Sequence, residues 1–102
     1  MNISSGKTKA AGSLNEVNIL GQVVSDPVYD DTKLPKVEWK IRVNRDGEFA
    51  DVVPCVAFRA VARESAGTFK EGDTVAVNGY LQQRASHGVE IVARRVWVIN
   101  AD

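Results

Sequence analysis

The sequence contains a single histidine, His87, and a single cysteine, Cys55, among its 102 residues. Catalytic triads and metal sites need several convergent His, Cys, Asp or Glu side chains, and neither residue has an evident partner in the sequence. Gly67, Gly72 and Gly79 lie at predicted element boundaries where turns require them, not in a phosphate-binding loop. The sequence therefore predicts no enzymatic activity, no metal ion and no cofactor. Cys55 is expected to be a buried small hydrophobe, because one cysteine cannot form an internal disulfide.

Long apolar segments and excess charge are also missing. No run approaches the roughly 18 to 20 apolar residues that a membrane span requires, and the N-terminus has no apolar core of a secretory signal. We therefore expect a cytoplasmic protein that has no membrane partner. Thirteen basic and thirteen acidic residues give a formal net charge of zero, whereas nucleic-acid-binding proteins usually carry a basic excess, at least locally.

Two segments alternate between apolar and polar residues with the period of a half-buried strand. The first runs from Trp39 to Arg45, with Val37 and Glu38 continuing the alternation before it, and the second runs from Gly72 to Arg84. In each, one face is expected to pack and the other to present charged and amide groups. Trp39 shares the parity of Val37 and Ile41, which predicts that its ring lies in the core. The opposite faces consist of Glu38, Lys40, Arg42 and Asn44 in the first segment and Thr74, Ala76, Asn78, Tyr80, Gln82 and Arg84 in the second.

Five strands and one short helix are predicted in a single small domain at residues 14–100. Residues 1–13 have no apolar period and are predicted to be a mobile tail, whose lysines either touch phosphate or only aid solubility. Residues 28–35 are predicted to be a polar turn, and Asp46-Gly47 predicts a hairpin. The strands cover about residues 15–25, 36–45, 50–58, 73–84 and 89–99, and the helix runs from Arg59 to Ala66.

Three further positions carry expectations about packing. Pro54 interrupts the third strand and should lie at an edge or a bulge, because proline cannot donate to a ladder. Phe69 is expected to plug the bottom of a barrel. Apolar residues occupy both parities of the last strand, so one of its faces should pack on the core and the other on a second subunit. Trp97 fits the core or a subunit contact, with ligand stacking as a third alternative. Five strands with a helix between the third and fourth form the layout of the all-β oligonucleotide-binding (OB) fold, a Greek-key barrel.

Several pieces of the sequence, taken in order, resemble the bacterial single-stranded DNA-binding protein family. Trp39–Arg45 resembles that family's second strand, in which a large aromatic is followed by alternating apolar residues and an Asn-Arg pair. Asn15–Pro27 resembles its opening strand, with a glycine and an Asp-Pro exit. Val56–Ala62 resembles its strand-to-helix passage, and Lys70–Gly79 its helix-to-strand passage.

The resemblance implies binding of single-stranded DNA without sequence specificity, in replication, recombination or repair at the nucleoid. It also implies a homodimer or a homotetramer. Family members commonly carry a long tail whose acidic tip recruits replication and repair enzymes, whereas this sequence stops at Asp102, directly after the last strand. The chain therefore resembles a short, tail-less member or paralogue. The second family that the chain resembles is that of the primosomal replication protein, which binds single strands and restart proteins.

Barrels of this kind hold single strands in a basic groove with aromatic side chains on which bases stack. The basic residues of the second strand are expected to meet phosphates, although they also fit a solvated face. Tyr80 is expected to offer a stacking face, and Phe49, beside the hairpin turn, either stacks on a base or packs in the loop. The predicted DNA-binding residues are Lys40, Arg42, Arg45, Phe49, Tyr80, Gln82 and Arg84.

The sequence departs from the family where tryptophans usually stand, since the matching places hold Phe49, Val52 and Ser86. Each stacked base is worth roughly 1 to 3 kcal/mol, so losing aromatic positions would weaken binding. Together with the zero net charge, this supports an alternative in which the barrel is a protein-interaction or structural module with weak or no DNA binding. Both alternatives stay open from the sequence.

Overall fold

The computed structural model describes residues 13–85 and 88–99. The predicted tail, apart from Ser13, lies outside the described residues, as do Ser86 and His87 between the fourth and last predicted strands. The elements are β1 (Val17–Val23), β2 (Val28–Asp30), β3 (Lys36–Asp46), β4 (Phe49–Phe58), α1 (Arg59–Ser65), β5 (Thr74–Arg84) and β6 (Gly88–Val98). No helix in this part of the chain is long and apolar enough to cross a membrane.

The strands form one sheet in the order β1-β5-β6-β4-β3-β2, and an additional pairing of β1 with β3 closes it into a barrel. The five predicted strands and the helix between the third and fourth of them are confirmed, so the all-β OB fold is correct. The polar turn predicted over residues 28–35 is partly wrong, because Val28–Asp30 form the short strand β2 against Lys36–Glu38. All three β2 residues are exposed, so this strand carries no burial period that the sequence could reveal.

The barrel core is formed by the apolar parity of the long strands. Trp39 is 3% exposed and meets the ring of Phe69 edge-on, with centroids 5.1 Å apart. Both residues therefore lie where the sequence placed them, with Phe69 closing the core next to α1. The buried cluster consists of Val23, Val37, Trp39, Ile41, Cys55, Ala57, Ala62, Phe69, Val75, Val77, Ile91 and Ala93.

Two glycines let strands approach one another closely. A Cβ at Gly21 would lie 2.6 Å from the carbonyl oxygen of Arg42, at the point where β1 leaves β5 and pairs with β3. A Cβ at Gly79 would overlap the carbonyl oxygen of Val92, beside the register shift between β5 and β6. Both positions require glycine because a side chain has no space there. Small barrels close where strands bend in this way.

Pro54 occupies an interior position of β4 without losing a hydrogen bond to β3. It lies opposite Lys40, whose carbonyl accepts a hydrogen bond from Val24 N–H at 3.0 Å on the other side of β3. In an antiparallel ladder the N–H and C=O of one residue point to the same side. Both groups of Lys40 therefore point away from β4, and Lys40 and Pro54 form a non-hydrogen-bonded pair that does not require a proline N–H. The other edge of β4 pairs with β6 only from Cys55 onward. Pro54 thus lies next to the end of the β4–β6 pairing, where its missing N–H interrupts neither neighbour.

Candidate nucleic-acid interface

The outer surface of β3, β4, β6 and β5 brings side chains from four strands into one row. Lys40 lies opposite Pro54, and Glu90 lies opposite Gln82. The parallel pairing of Cys55 with Ile91 places Pro54 beside Glu90, so this row crosses the sheet from Lys40 to Gln82. We call the outer surface of these four strands the groove face. It lies on the opposite side of the sheet from Trp39, since adjacent residues of a strand face opposite ways.

Arg84 is held by two carboxylates at the centre of the groove face. Its Nη2 donates to Glu38 Oε2 at 2.9 Å and lies 2.8 Å from Glu90 Oε1. Gln82 Nε2 donates to Glu90 Oε2 at 2.9 Å, which satisfies a carboxylate that is only 4% exposed. The hydrogen bond to Glu38, followed by the charges of Glu90 and Glu38, raises the pKa of the Arg84 guanidinium. Arg84 and Gln82 are therefore fixed by the protein itself.

This cluster forms part of the lining of a cavity of about 510 Å³ that opens on the groove face. Val28, Val52 and Pro54 supply apolar walls, and Lys40 lies on the same rim. Glu38 of the lining is half-exposed and Glu90 is buried, so the cavity combines apolar contact with hydrogen-bond acceptors. Its full lining comprises Ser25, Asp26, Val28, Glu38, Trp39, Lys40, Val52, Pro54, Cys55, Arg84 and Glu90.

The two predicted cations of β3 differ from Arg84 in being exposed. The Lys40 ammonium makes no hydrogen bond or ion pair with another described residue, and the residue is exposed. Arg42 lies opposite Val52, and its Nη1 donates to Gln22 Oε1 on β1 at 3.3 Å. A neutral amide leaves the charge of Arg42 unpaired. The two residues therefore keep positive charge on the groove face.

Tyr80 is half-buried at the other end of the groove face, and one side of its ring carries Arg94. The guanidinium carbon of Arg94 lies 4.7 Å from the ring centroid, a cation–π geometry. A second cavity, of about 650 Å³, is lined here by Tyr80, Arg94, Phe58 and Leu34 together with Arg59, Val61, Val92 and Ala93. This end combines apolar surface, an aromatic ring and exposed positive charge.

Arg45 and Phe49 lie apart from the other predicted site residues. Phe49 has the parity of Val53, and Arg45, at the register shift between Asn44 and Asp46, contacts Phe49 and Asp51, so both side chains lie on the opposite side of the β3–β4 hairpin to Lys40 and Arg42. Arg45 Nε donates to Asp51 Oδ2 at 2.9 Å, and its guanidinium lies 5.5 Å from the Phe49 ring centroid. Phe49 is nevertheless 59% exposed. The structure thus gathers five predicted residues on one face and places these two at the hairpin tip.

Sequence reasoning missed three groove-face residues, Glu38, Glu90 and Arg94. Glu38 belongs to the polar alternation of β3, but the sequence gives no sign that a carboxylate there pairs with Arg84 of another strand. Glu90 follows a predicted turn, and only the parallel register of β4 with β6 shows that it reaches Arg84. The position of Arg94 over Tyr80 depends on the irregular pairing of β5 with β6, where Asn78 faces Arg95 and Gly79 faces Ala93.

Nothing else among residues 13–85 and 88–99 forms a candidate site for chemistry. No group of three or more His, Cys, Asp or Glu in this part of the chain could hold a metal ion. Burial, with a smaller contribution from the charge of Glu90, raises the pKa of the Cys55 thiol to about 12. The cysteine is therefore protonated and enclosed.

An apolar strip remains exposed on the far side of the barrel. Leu20 pairs with Ala76, and Ala76 pairs with Trp97, so the three side chains share the outer face of β1, β5 and β6. Leu20 is 56% exposed and Trp97 is 45% exposed. Polar rows flank the strip, since Asn78 donates to Asn18 Oδ1 at 2.9 Å on one side. We call this surface the β1 face.

Comparison with known proteins matches this architecture to one family. Residues 14–102 match the family described as the single-strand binding protein family. A single-stranded DNA-binding protein of Caldanaerobacter subterraneus subsp. tengcongensis is 35% identical over 79 residues, which are 70% of this chain and 53% of that protein. The chain therefore spans about half the length of this curated relative.

Solved structures show the same fold at lower identity. The second single-stranded DNA-binding protein of Mycobacterium smegmatis superposes with a TM-score of 0.72 at 20% identity, over 82% of this chain and 87% of that one. The dimeric N-terminal domain of PriB from Thermoanaerobacter tencongensis superposes with a TM-score of 0.70 at 19% identity, over 85% and 98% of the two chains. With the family match extending over residues 14–102, this chain belongs to the single-strand binding protein family.

Proposed function

We propose that this chain binds single-stranded DNA without strict sequence specificity, in DNA replication, recombination or repair at the cytoplasmic nucleoid. The observation that carries the proposal is the groove face, where exposed cations on β3 and a ring-bearing cavity at Tyr80 share one surface. Single strands bind to surfaces of this composition because phosphates meet cations while bases stack on aromatic rings. Membership of the family supports the same conclusion.

In this proposal the groove-face residues divide the work. Lys40 and Arg42 meet phosphates, because neither has a carboxylate partner among the described residues. Tyr80, with Arg94 over its ring, stacks on a base. Gln82 and Arg84 contribute indirectly, because their hydrogen bonds to Glu90 hold in place the protein surface that the DNA strand contacts.

Phe49 and Arg45 form a separate contact in this proposal. The exposed ring of Phe49 at the tip of the β3–β4 hairpin takes a base of a strand that passes from one face of the hairpin to the other. Arg45 supports that ring, since its own charge is paired with Asp51.

The β1 face supports self-association into a homodimer or a homotetramer. Leu20 and Trp97 expose apolar area on a flat sheet face, and burying such area is favourable by about 25 cal/mol per Å². A second copy of the chain is the proposed cover.

A protein-interaction module remains the second candidate, because a specific observation favours it. The arginine at the centre of the groove face is already paired with Glu38 and Glu90, which lowers the charge available to DNA. In this alternative the barrel binds a replication or restart protein and binds DNA weakly or not at all.

Fluorescence anisotropy of a labelled oligo-dT at two salt concentrations tests the proposal against this alternative, with a duplex of the same length as control. Binding of the single strand alone, weakened steeply by salt, is the expected result, because phosphate neutralisation releases counterions. No saturation at tens of micromolar protein and low salt would overturn the proposal and leave the protein-interaction module.

A further inference from the structure

The cavity lined by Glu38, Arg84 and Glu90 lies within the proposed DNA-binding surface but is unsuited to phosphate. Its lining carries the carboxylates of Asp26, Glu38 and Glu90 against the cations Lys40 and Arg84. Acidic groups therefore outnumber basic groups around it. A phosphate placed there would face like charges at short range, which is unfavourable.

Glu38 keeps an unused hydrogen-bond acceptor in this cavity, beside donors at Lys40 and Trp39 Nε1 that have no partner among the described residues. Both oxygens of Glu90 already have partners, since Oε2 accepts from Gln82 and Arg84 and Oε1 lies 2.8 Å from Arg84 Nη2. Glu38 uses Oε2 to accept from Arg84 at 2.9 Å, while Oε1 has no hydrogen bond to a described residue. The side chain of Glu38 is 38% exposed. Glu38 Oε1 is thus an accessible, charged acceptor held in place by Arg84.

The walls fit a flat, largely apolar group. Val28, Val52 and Pro54 line the cavity, and its volume of about 510 Å³ exceeds what one nucleobase occupies. A base placed between these walls would present its edge to Glu38. Carboxylates discriminate among bases by accepting from exocyclic amino groups, and cytosine N4 is the usual donor to glutamate or aspartate.

We infer that this cavity holds one base of the bound strand, and that Glu38 makes it favour amino-bearing bases, cytosine above all, over thymine and uracil. The inference rests on the proposed function. At C4 thymine and uracil carry a carbonyl oxygen where cytosine carries its amino group, so a base whose C4 substituent meets Glu38 places an acceptor against the carboxylate when it is thymine or uracil. The result is a modest base preference within binding that otherwise tolerates sequence. Arg84 is the positioning residue, because it fixes the direction in which Glu38 points.

Competition anisotropy with oligo-dC, oligo-dU and oligo-dT of equal length tests this inference. The dC and dU strands differ only in the groups that pair with Glu38, whereas dT adds a methyl group. We expect wild-type protein to bind dC about fivefold to tenfold more tightly than dU, near the lower end of what one discriminating base contact gives. Glu38→Gln should bring the ratio towards one, because an amide offers both a donor and an acceptor.

The ratio of affinities is the readout, since removing a charge near DNA also changes absolute affinity. Glu48→Gln is the matched control. Glu48 is exposed in the turn between β3 and β4, so its substitution removes one negative charge outside the cavity. This variant should keep the wild-type ratio. Urea unfolding of Glu38→Gln establishes that the barrel is intact.

Two failures are distinguishable. Tight binding of all three strands with no dC preference, or a preference that Glu38→Gln leaves unchanged, overturns the inference and leaves the proposed function standing. Absence of binding to every strand overturns both.

Discussion

Trp39 and Phe69 meet edge to face inside the barrel, with ring centroids 5.1 Å apart and ring planes at 70°. Trp39 comes from the middle of β3, whereas Phe69 comes from the connection between α1 and β5. The contact therefore ties the segment after the helix to the central strand. Aromatic pairs in this geometry add about 0.5 to 1.5 kcal/mol beyond their burial.

Phe69→Ala should destabilise the protein by about 3 to 5 kcal/mol, because it removes both the buried ring and its contact with Trp39. Urea unfolding followed by tryptophan fluorescence measures the change. Phe49→Ala is the matched control, since Phe49 is 59% exposed, and it should cost about 1 kcal/mol or less. Equal losses in the two variants would contradict the assignment of Phe69 to the core.

Gly79→Ala should cost more than about 4 kcal/mol or prevent folding. The added Cβ overlaps the Val92 carbonyl oxygen and lies 2.8 Å from the Val92 carbonyl carbon, so β5 and β6 must separate. Thermal unfolding by circular dichroism gives the loss. Gly47→Ala is the control, since Gly47 has a φ of +62° and open space around it, and should cost only about 1 to 2 kcal/mol. A small loss in Gly79→Ala would show that the strands can move apart easily.

The sequence predicted the barrel because alternation in β3 and β5 is strong, and the apolar parity of each, with Val37, Trp39 and Ile41 in β3 and Val75 and Val77 in β5, is buried. Trp39 was placed in the core by that alternation alone. The strand β2 was missed because its three residues are exposed and carry no period. The contact of Arg84 with Glu38 and Glu90 was also missed, because it joins three strands whose registers depend on the closed barrel. Local pattern fixes which face a residue takes, whereas contacts across several strands need the tertiary register.

Cys55 should resist thiol reagents in the folded protein at pH 8. Its pKa of about 12 leaves almost no thiolate, and the thiolate is the reactive form. Dithionitrobenzoate should react with it only after urea is added. Ser13→Cys, which adds a cysteine at an exposed position, should give one rapidly reacting thiol per chain. Fast reaction of native wild-type protein would show that the strand pair around Cys55 opens readily.

The same thiol makes stability depend on pH above 9. In the unfolded chain the thiol ionises near 9, whereas in the folded chain it ionises near 12. The folded state therefore holds the thiol proton more tightly. The contribution of this thiol to the free energy of unfolding is complete below pH 9 and declines as pH rises towards 12. Urea midpoints from pH 8 to 10.5 should fall more steeply in wild type than in Cys55→Ala. Parallel slopes would contradict the raised pKa.

Lys40→Gln should weaken binding of oligo-dT and make it less sensitive to salt. Each phosphate neutralised on a single strand contributes about 0.7 to the slope of log affinity against log salt, so the slope should fall by about that amount. Lys70→Gln is the control, because the Lys70 ammonium already lies 3.7 Å from Asp73 Oδ1. An unchanged slope in Lys40→Gln would remove Lys40 from the proposed phosphate contacts.

Leu20→Arg should dissociate the proposed oligomer, because it places a charge in the apolar strip of the β1 face. Sedimentation velocity at micromolar concentration should show a dimer or a tetramer for wild type and the 11.1 kDa monomer for the variant. Leu81→Arg is the control, since Leu81 is 46% exposed on the β5–β6 hairpin. A monomeric wild type would overturn the assembly proposal.

The pairing of β1 with β5 sets the order of events during synthesis of the chain. Val17 lies opposite Gly79, so β1 meets β5 only after β2, β3, β4 and α1 have been made. Until then the edge of β1 that β5 covers is unpaired, and only the pairings of β3 with β2, with β4 and with the end of β1 can form. Closure of contacts so distant in sequence is intrinsically slow. Nascent chains of this protein therefore expose an open strand edge throughout most of their translation, the stage at which a chaperone would act.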